Sequence, residues 1–159
     1  MALNAAGIPP GDGQAFPLRV GTTLDALGQV LTWFEKFRNS GIPEPIWMEC
    51  QLALAEGFTN AVRHAHHALP ESTPIDIELL LAPQGLELRI WDHGQEFDLE
   101  EFAQQLPAEL DTESEGGRGI LLMKALTSRL SYTRQADGRN CLLISKRFND
   151  PARIPQRPG

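Results

Sequence analysis

The sequence predicts a single α+β domain built as a two-layer sandwich, with helices on one face of a mixed, mostly antiparallel sheet. Three observations lead there. Strand-like and helix-like segments are partly segregated along the chain instead of strictly alternating, which disfavours a parallel α/β sheet. Two pairs of apolar runs, Ile75 to Ala82 with Gly85 to Asp92, and 129–135 with 139–147, are each joined by a short turn, the pattern of hairpins. Two segments ahead of them carry apolar residues at helical spacing. The 159 residues, 42% hydrophobic and 22% charged, suit one domain with its own core.

Each element follows from local chemistry. The opening MALNAAGIPPGDGQ is rich in glycine and proline, so residues 1–13 are expected to be flexible. Ala15 to Val20 reads as an edge strand, because Pro17 has no N–H for an interior ladder. Thr22 or Thr23 caps a helix running to about Asn39, with Leu24, Leu27, Val30, Leu31 and Phe34 on its apolar side. NSGIPEP interrupts it. Pro45 suits the first turn of a second helix, from about Glu44 to Ala68, in which Trp47 and Met48 are assigned to the core.

After the first hairpin the pattern weakens from His93 to Gly116, with scattered acids, Pro107 and a short helical piece near Leu99 to Gln105. A connection of that length inside a compact domain is as a rule functional or mobile. Gly119 to Ser128 forms a third helix, and Ala-Asp-Gly turns the second hairpin. The tail 149–159 is expected to be disordered, which leaves 14–148 as the folded domain. No internal repeat is found.

A net charge of -7 and a pI near 5.0 argue against nucleic acid or an anionic membrane as the main partner. A small anionic ligand at a locally positive site stays compatible with that charge. Cys50 and Cys141 lie inside regular segments with no CxxC spacing, so they are assigned as buried thiols of a reducing cytoplasm. Neither a secretory leader nor a membrane span is read, and a cytoplasmic location is expected. His64, His66 and His67 lack a cysteine or carboxylate to complete a zinc set, and no zinc is expected.

Chemistry concentrates in three places. The first is AEGFTNAVRHAH, Ala55 to His66. At about 100° per residue, with Glu56 at zero, Asn60 falls at about 40°, Arg63 at about 340° and His64 at about 80°. Leu54, Phe58, Ala61, Val62 and Ala65 fall between about 140° and 240°, on the opposite side. Alone, that is an ordinary amphipathic helix. The second is WDHGQEFD, where Asp92 at a strand exit precedes Gly94. Such a carboxylate can accept from an exocyclic amine such as adenine N6 and repels the carbonyl of guanine, although Asp-x-Gly is also a common turn. The third is EGGRGILLM, where Gly117 and Gly119 flank Arg118 at the start of the third helix. Close backbone approach and free helix N–H groups make a phosphate-binding geometry. No Walker pattern is present, and no GxGxxG follows the first strand.

In this order and spacing the three elements resemble the nucleotide-binding boxes of the GHKL ATPase superfamily, whose members include gyrase, heat-shock chaperones, histidine kinases and mismatch-repair ATPases. The resemblance runs from about Ala15 to Arg147 and implies a Bergerat-type ATP-binding fold. AEGFTNAVRHAH with DHGQEFD and EGGRGILLM looks most like the small single-domain anti-sigma-factor serine/threonine kinases of bacterial partner-switching systems. That resemblance implies ATP and Mg²⁺ as cofactors, Asn60 as the Mg²⁺ ligand and Glu56 as general base. It implies Asp92 and Gly94 at the adenine, Gly117, Arg118, Gly119 and Ile120 at the phosphates, and Arg63 acting electrostatically on them. His64 is carried as an ATP-site residue, with packing left open. Residues of about 99–116 would form a lid.

The implied activity is phosphorylation of a small antagonist protein of the anti-anti-sigma type. A sigma factor or other regulator would be a second partner, and the chain would form a homodimer. Two other readings are a non-catalytic module that sequesters a partner, and a detached histidine-kinase catalytic domain. Glu56 weighs against the first, because a pure binder needs no base. The HAH ending of the first motif and the single-domain length weigh against the second.

Overall fold

The computed structural model describes residues 13–99, 101, 104 and 117–148. Five strands form one sheet: β1 (Gln14–Val20), β2 (Ile75–Ala82), β3 (Gly85–Asp92), β4 (Arg129–Arg134) and β5 (Asn140–Arg147). Their order is β1-β2-β3-β5-β4, and every neighbouring pair is antiparallel. The α+β class expected from sequence is therefore present, and the mostly antiparallel sheet that was expected is antiparallel throughout the described strands, with no parallel pair. β3 and β4 do point the same way. The β4–β5 hairpin folds back and inserts β5 between them, so no parallel pair forms. β1 lies at an edge, as Pro17 requires.

Thr23 opens the first helical segment, its Oγ1 accepting from the Ala26 N–H at 3.3 Å over a 3-10 turn, Leu24–Ala26. α1 (Leu27–Glu35) then ends short of Asn39. Turns run on to Ser40, and Gly41 at φ +89° redirects the chain, a conformation glycine adopts without strain. α2 (Glu44–Asn60) carries Pro45 in its first turn, where a missing N–H costs nothing. It continues as one π turn, Ala61–Ala65, closed by the His66 N–H donating to Ala61 O at 2.8 Å. Regular α spacing thus stops at Asn60 and the helical segment at Ala65, short of Ala68. α3 (Gly117–Leu126) already includes Gly117 and Arg118, ahead of the expected start at Gly119, and ends at Leu126, short of Ser128.

The alternating pattern decides which sheet face is dry. Ile77, Leu79, Leu88, Ile90 and Ile144 share one face in register, none more than 1% exposed. Val30 and Phe34 of α1, Trp47, Leu54 and Phe58 of α2, and Met123 of α3 join them in one core. Phe34 stacks on Trp47 with ring centroids 5.4 Å apart. Gly57 lets α2 lie close to the sheet, since a Cβ there would stand 2.8 Å from Ile90 Cδ1. Met48, assigned to the core from sequence, is 56% exposed instead, because one step along the helix from Trp47 turns a side chain outward. Cys50 and Cys141 are free and buried, and burial pushes their thiols up to about 12 and about 11. Among the described residues no helix is long and apolar enough to cross a membrane.

Most of the expected lid, all but Gly13 of the start 1–13 that was expected to be flexible, and the tail 149–159 lie outside the described residues. Leu99, Glu101 and Gln104 are helical, and the Glu101 N–H donates to Asp98 Oδ1 at 3.0 Å, a side-chain cap.

Ile144 is fully buried on a strand flanked by β3 and β4. Truncation to alanine removes apolar contacts and leaves a cavity that the flanking strands cannot close. Ile144→Ala should cost about 2–5 kcal/mol, read from the shift of the urea midpoint at constant slope.

Candidate functional site

Glu56 and Asn60 stand one turn apart at the end of α2, both partly buried. Gly119, in the first turn of α3, comes against them. A Cβ on Gly119 would stand 2.6 Å from Glu56 Oε2, 3.5 Å from Asn60 Nδ2 and 3.6 Å from Asn60 Oδ1. The glycine therefore lets the start of α3 meet the polar end of α2. The first-turn N–H groups of a helix have no intrahelical partner and favour an anion. Two motifs far apart in sequence are one place in space.

Asp92 ends β3 on the sheet face that carries the helices and is 3% exposed. A carboxylate taken out of water needs donors. Its Oδ1 accepts from the Gly94 N–H at 2.9 Å and from Asn140 Nδ2 at 3.0 Å, and its Oδ2 accepts from the Tyr132 hydroxyl at 2.6 Å. Asn140 Nδ2 also reaches Gly94 O at 3.0 Å, while Asn140 Oδ1 is buried and has no partner among the described residues. Burial, then the bond to Asp92, holds the Tyr132 hydroxyl protonated far above the usual phenol range.

Neither Asn140 nor Tyr132 was picked out from sequence. A signal exists: both occupy the inward-facing positions of their strands, in step with Leu130 on β4 and with Leu142 and Ile144 on β5, Asn140 paired with Asp92 and Tyr132 with Leu142. Which carboxylate they would meet depends on the pairing of β5 with β3, and that is a non-local fact.

The turn after Asp92 is pressed onto the π turn. A Cβ on Gly94 would stand 2.7 Å from Ala65 O and 3.0 Å from Ala65 Cα. His66, just beyond the π turn, is 1% exposed. Its Nδ1 lies 2.5 Å from Thr22 Oγ1, and its Nε2 accepts from the His93 N–H at 2.7 Å. The sequence named His66 as part of a rejected metal group and as the end of the first motif, and gave it no role in the site. Among the described residues no cluster of three histidines, cysteines or carboxylates could hold a metal.

A cleft of about 840 Å³ opens among these elements, lined in part by Asn60, His64, Asp92, Gly94, Ile120 and Tyr132. That size and the mainly apolar lining suit a small-molecule site. The nucleotide expected from sequence fits the residues present. Asp92 offers Oδ2, which accepts only from Tyr132 among the described residues, to an amine donor, and Asn140 Oδ1 is an orphaned acceptor on the residue that holds it. Glu56 and Gly119 sit beside Asn60 without lining the cleft, and Gly117 opens α3. Arg63 and Arg118 are exposed and line no part of it. Counted at about 100° per residue, His64 falls among the cleft-lining Gly57, Asn60 and Ala61, whereas Arg63 falls well outside that arc, so the helical projection itself separates the two.

The family model of the histidine kinase-like ATPase domain matches residues 20–146. The serine-protein kinase RsbW of Listeria monocytogenes is 34% identical over 83 residues, 49% of this chain and 52% of that protein. The chain thus spans about half the length of the curated relatives it matches. Among solved structures, the RsbU and RsbW domains of a Mycobacterium tuberculosis protein superpose with a TM-score of 0.62 at 18% identity, over 89% of this chain and 34% of that one. The SiaB-SiaC complex of Pseudomonas aeruginosa gives 0.58 at 14% identity, over 86% of this chain and 91% of that one. At these identities the structures speak to the fold.

Backbone, and not a movable side chain, blocks a Cβ at Gly94. Gly94→Ala should therefore destabilise the protein by about 1–3 kcal/mol, measured by urea unfolding. An unchanged midpoint would mean that this turn is not held against Ala65.

Proposed function

The chain belongs to the histidine kinase-like ATPase domain family, and we propose that it is an ATP-dependent serine/threonine protein kinase that also regulates by binding. Its substrate is a small antagonist protein of the anti-anti-sigma type in a partner-switching pathway, and a sigma factor or another regulator is its second partner. The domain spans 14–148, works in the cytoplasm as a homodimer, and closes over nucleotide with the segment at about 99–116. The observation that carries this reading is the contact of Gly119 with Glu56 and Asn60 beside a cleft that also holds the buried Asp92. Support comes from relatives named serine-protein kinases and from SiaB, a protein of similar fold solved in complex with SiaC.

ATP supplies the phosphoryl group, and its Mg²⁺ lowers the charge on the phosphates. Asn60 is a single neutral oxygen donor. That suits Mg²⁺, which keeps several waters and arrives with the nucleotide instead of filling an all-protein cage. Asp92 accepts from the adenine amine. Guanine would set a carbonyl against a buried carboxylate, so the site selects adenine. Gly94 allows the base turn to pack, and Gly117, Gly119 and Ile120 bring the free N–H groups of α3 to the phosphates. Arg118 and Arg63, both exposed, contribute charge from outside the cleft, and His64 forms part of its wall. Glu56 takes the proton from the attacking serine hydroxyl, one helical turn from Asn60.

The test mixes the purified chain, Mg-ATP and candidate antagonist proteins. The transferred phosphate should survive acid, as phosphoserine does; an acid-labile product would mean phosphohistidine and refute the serine-kinase reading. Glu56→Gln should keep ATP affinity while transfer falls about 10²–10⁴-fold. Transfer at the unaltered rate would remove Glu56 from the chemistry. Asn60→Ala should weaken Mg-ATP binding about 10–100-fold by titration calorimetry, and full affinity would overturn its role.

A further inference from the structure

We propose that His66 is the positioning residue of the base-reading turn: protonated at Nδ1 alone, it holds the His93 backbone and thereby fixes Asp92 and Gly94 against the π turn. The bonding scheme stands on geometry. Its consequence for nucleotide affinity rests on the ATP reading above.

A backbone N–H can only donate. The His93 N–H lies 2.7 Å from Nε2, so Nε2 carries a lone pair and no proton. The one ring proton of a neutral imidazole is then on Nδ1, where it donates to Thr22 Oγ1 at 2.5 Å. Both nitrogens are committed, and at 1% exposure the ring has almost no contact with water. The same residue closes the π turn through its own N–H on Ala61 O. One side chain and its backbone thus join three segments: the exit of β1 at Thr22, the π turn, and the exit of β3. The tight packing of Gly94 on Ala65 belongs to this joint, because His93 and Gly94 face His66 and Ala65 in turn.

A second proton on His66 would have to sit on Nε2, facing the His93 N–H. Two donors would then oppose each other, and a charge would sit in a buried place. The ionisable groups facing the ring are Asp92 and His93 from the end of β3. The β1 side presents neutral Thr22, whose N–H is held by Glu71 O at 2.9 Å, and on its own segment His64 and His67 are exposed. Burial acts most strongly and holds His66 below the ordinary histidine range, against the pull of Asp92. A base lowered on folding contributes stability that is complete above its unfolded value near 6.5. That stability is lost as pH falls from there towards the folded value. Acid should therefore release the turn that reads the base.

The experiment uses the whole chain. With ¹⁵N-labelled histidine and no nucleotide, long-range ¹H–¹⁵N correlation spectra should show His66 as the Nδ1-H tautomer, with the His93 amide protected from exchange at neutral pH and its protection factor, taken against the slower intrinsic exchange of acid, falling as pH drops. An Nε2-H tautomer would overturn the proposal. Mg-ADP affinity is then measured by calorimetry from about pH 5 to 8. In the wild type it should be level above about pH 6.5 and fall up to about tenfold per unit below the His66 transition. His66→Gln keeps an acceptor for His93 and cannot take a proton, so it should restore binding to within a few-fold at neutral pH and lack the acid fall. His66→Leu should bind about tenfold more weakly at every pH. An acid fall in His66→Gln equal to the wild type would assign it to other groups and refute the proposal. If His66→Leu does not fold, the other two proteins decide. If no protein binds nucleotide, the ATP reading fails, and the tautomer and amide exchange still judge the joint.

Discussion

Asp92 is a carboxylate almost wholly withdrawn from water, and its neighbours are placed so that it is not left without donors. A buried charge without partners would neutralise or unfold its surroundings. Meeting that requirement ties together four pieces of chain: the end of β3, the turn at Gly94, Tyr132 on β4 and Asn140 on β5. The insertion of β5 between β3 and β4 follows the same logic. It brings Asn140 opposite Asp92, and Tyr132 within reach from the next strand. The topology that looks like a detail of sheet order is what equips the carboxylate.

The helical layer solves a different problem, which is distance. α2 must lie close enough to the sheet to share its core, and Gly57 permits that. It must also present Glu56 and Asn60 to α3, and Gly119 permits that. Finally its end must meet the turn after Asp92, where Gly94 meets Ala65. The π turn lets one helical segment serve both places, because the added residue redirects everything that follows Asn60. π turns recur at functional sites for this reason. Here His64 stands in the cleft wall, and His66, just beyond the turn, holds the backbone that follows Asp92.

Much of the fold was legible in the chain. The hairpin strands were placed within a residue or two, since alternating apolar residues bounded by Pro-Gln and Asp-Gly leave little choice of face or turn. Pro17 identified an edge. Helix ends were less legible. The α1 end at Glu35 and the change from α to π after Asn60 depend on contacts with other segments, and the residues there have no strong local preference. Met48 was misplaced because its apolar character says nothing about which way its step on the helix points.

The sequence by itself determined the α+β class, the hairpins, the edge strand and the three motifs whose order and spacing resemble a nucleotide site. These are matters of local preference and of residue types at fixed separations, which a chain carries whether folded or not. Only the tertiary structure decided that Asn140 and Tyr132 serve Asp92, that Gly119 rests on Glu56, and that His66 joins Thr22 to His93. Each of these is a contact between segments distant in sequence, set by sheet order, by close backbone approach and by the cost of leaving a buried carboxylate, imidazole or amide N–H without a partner.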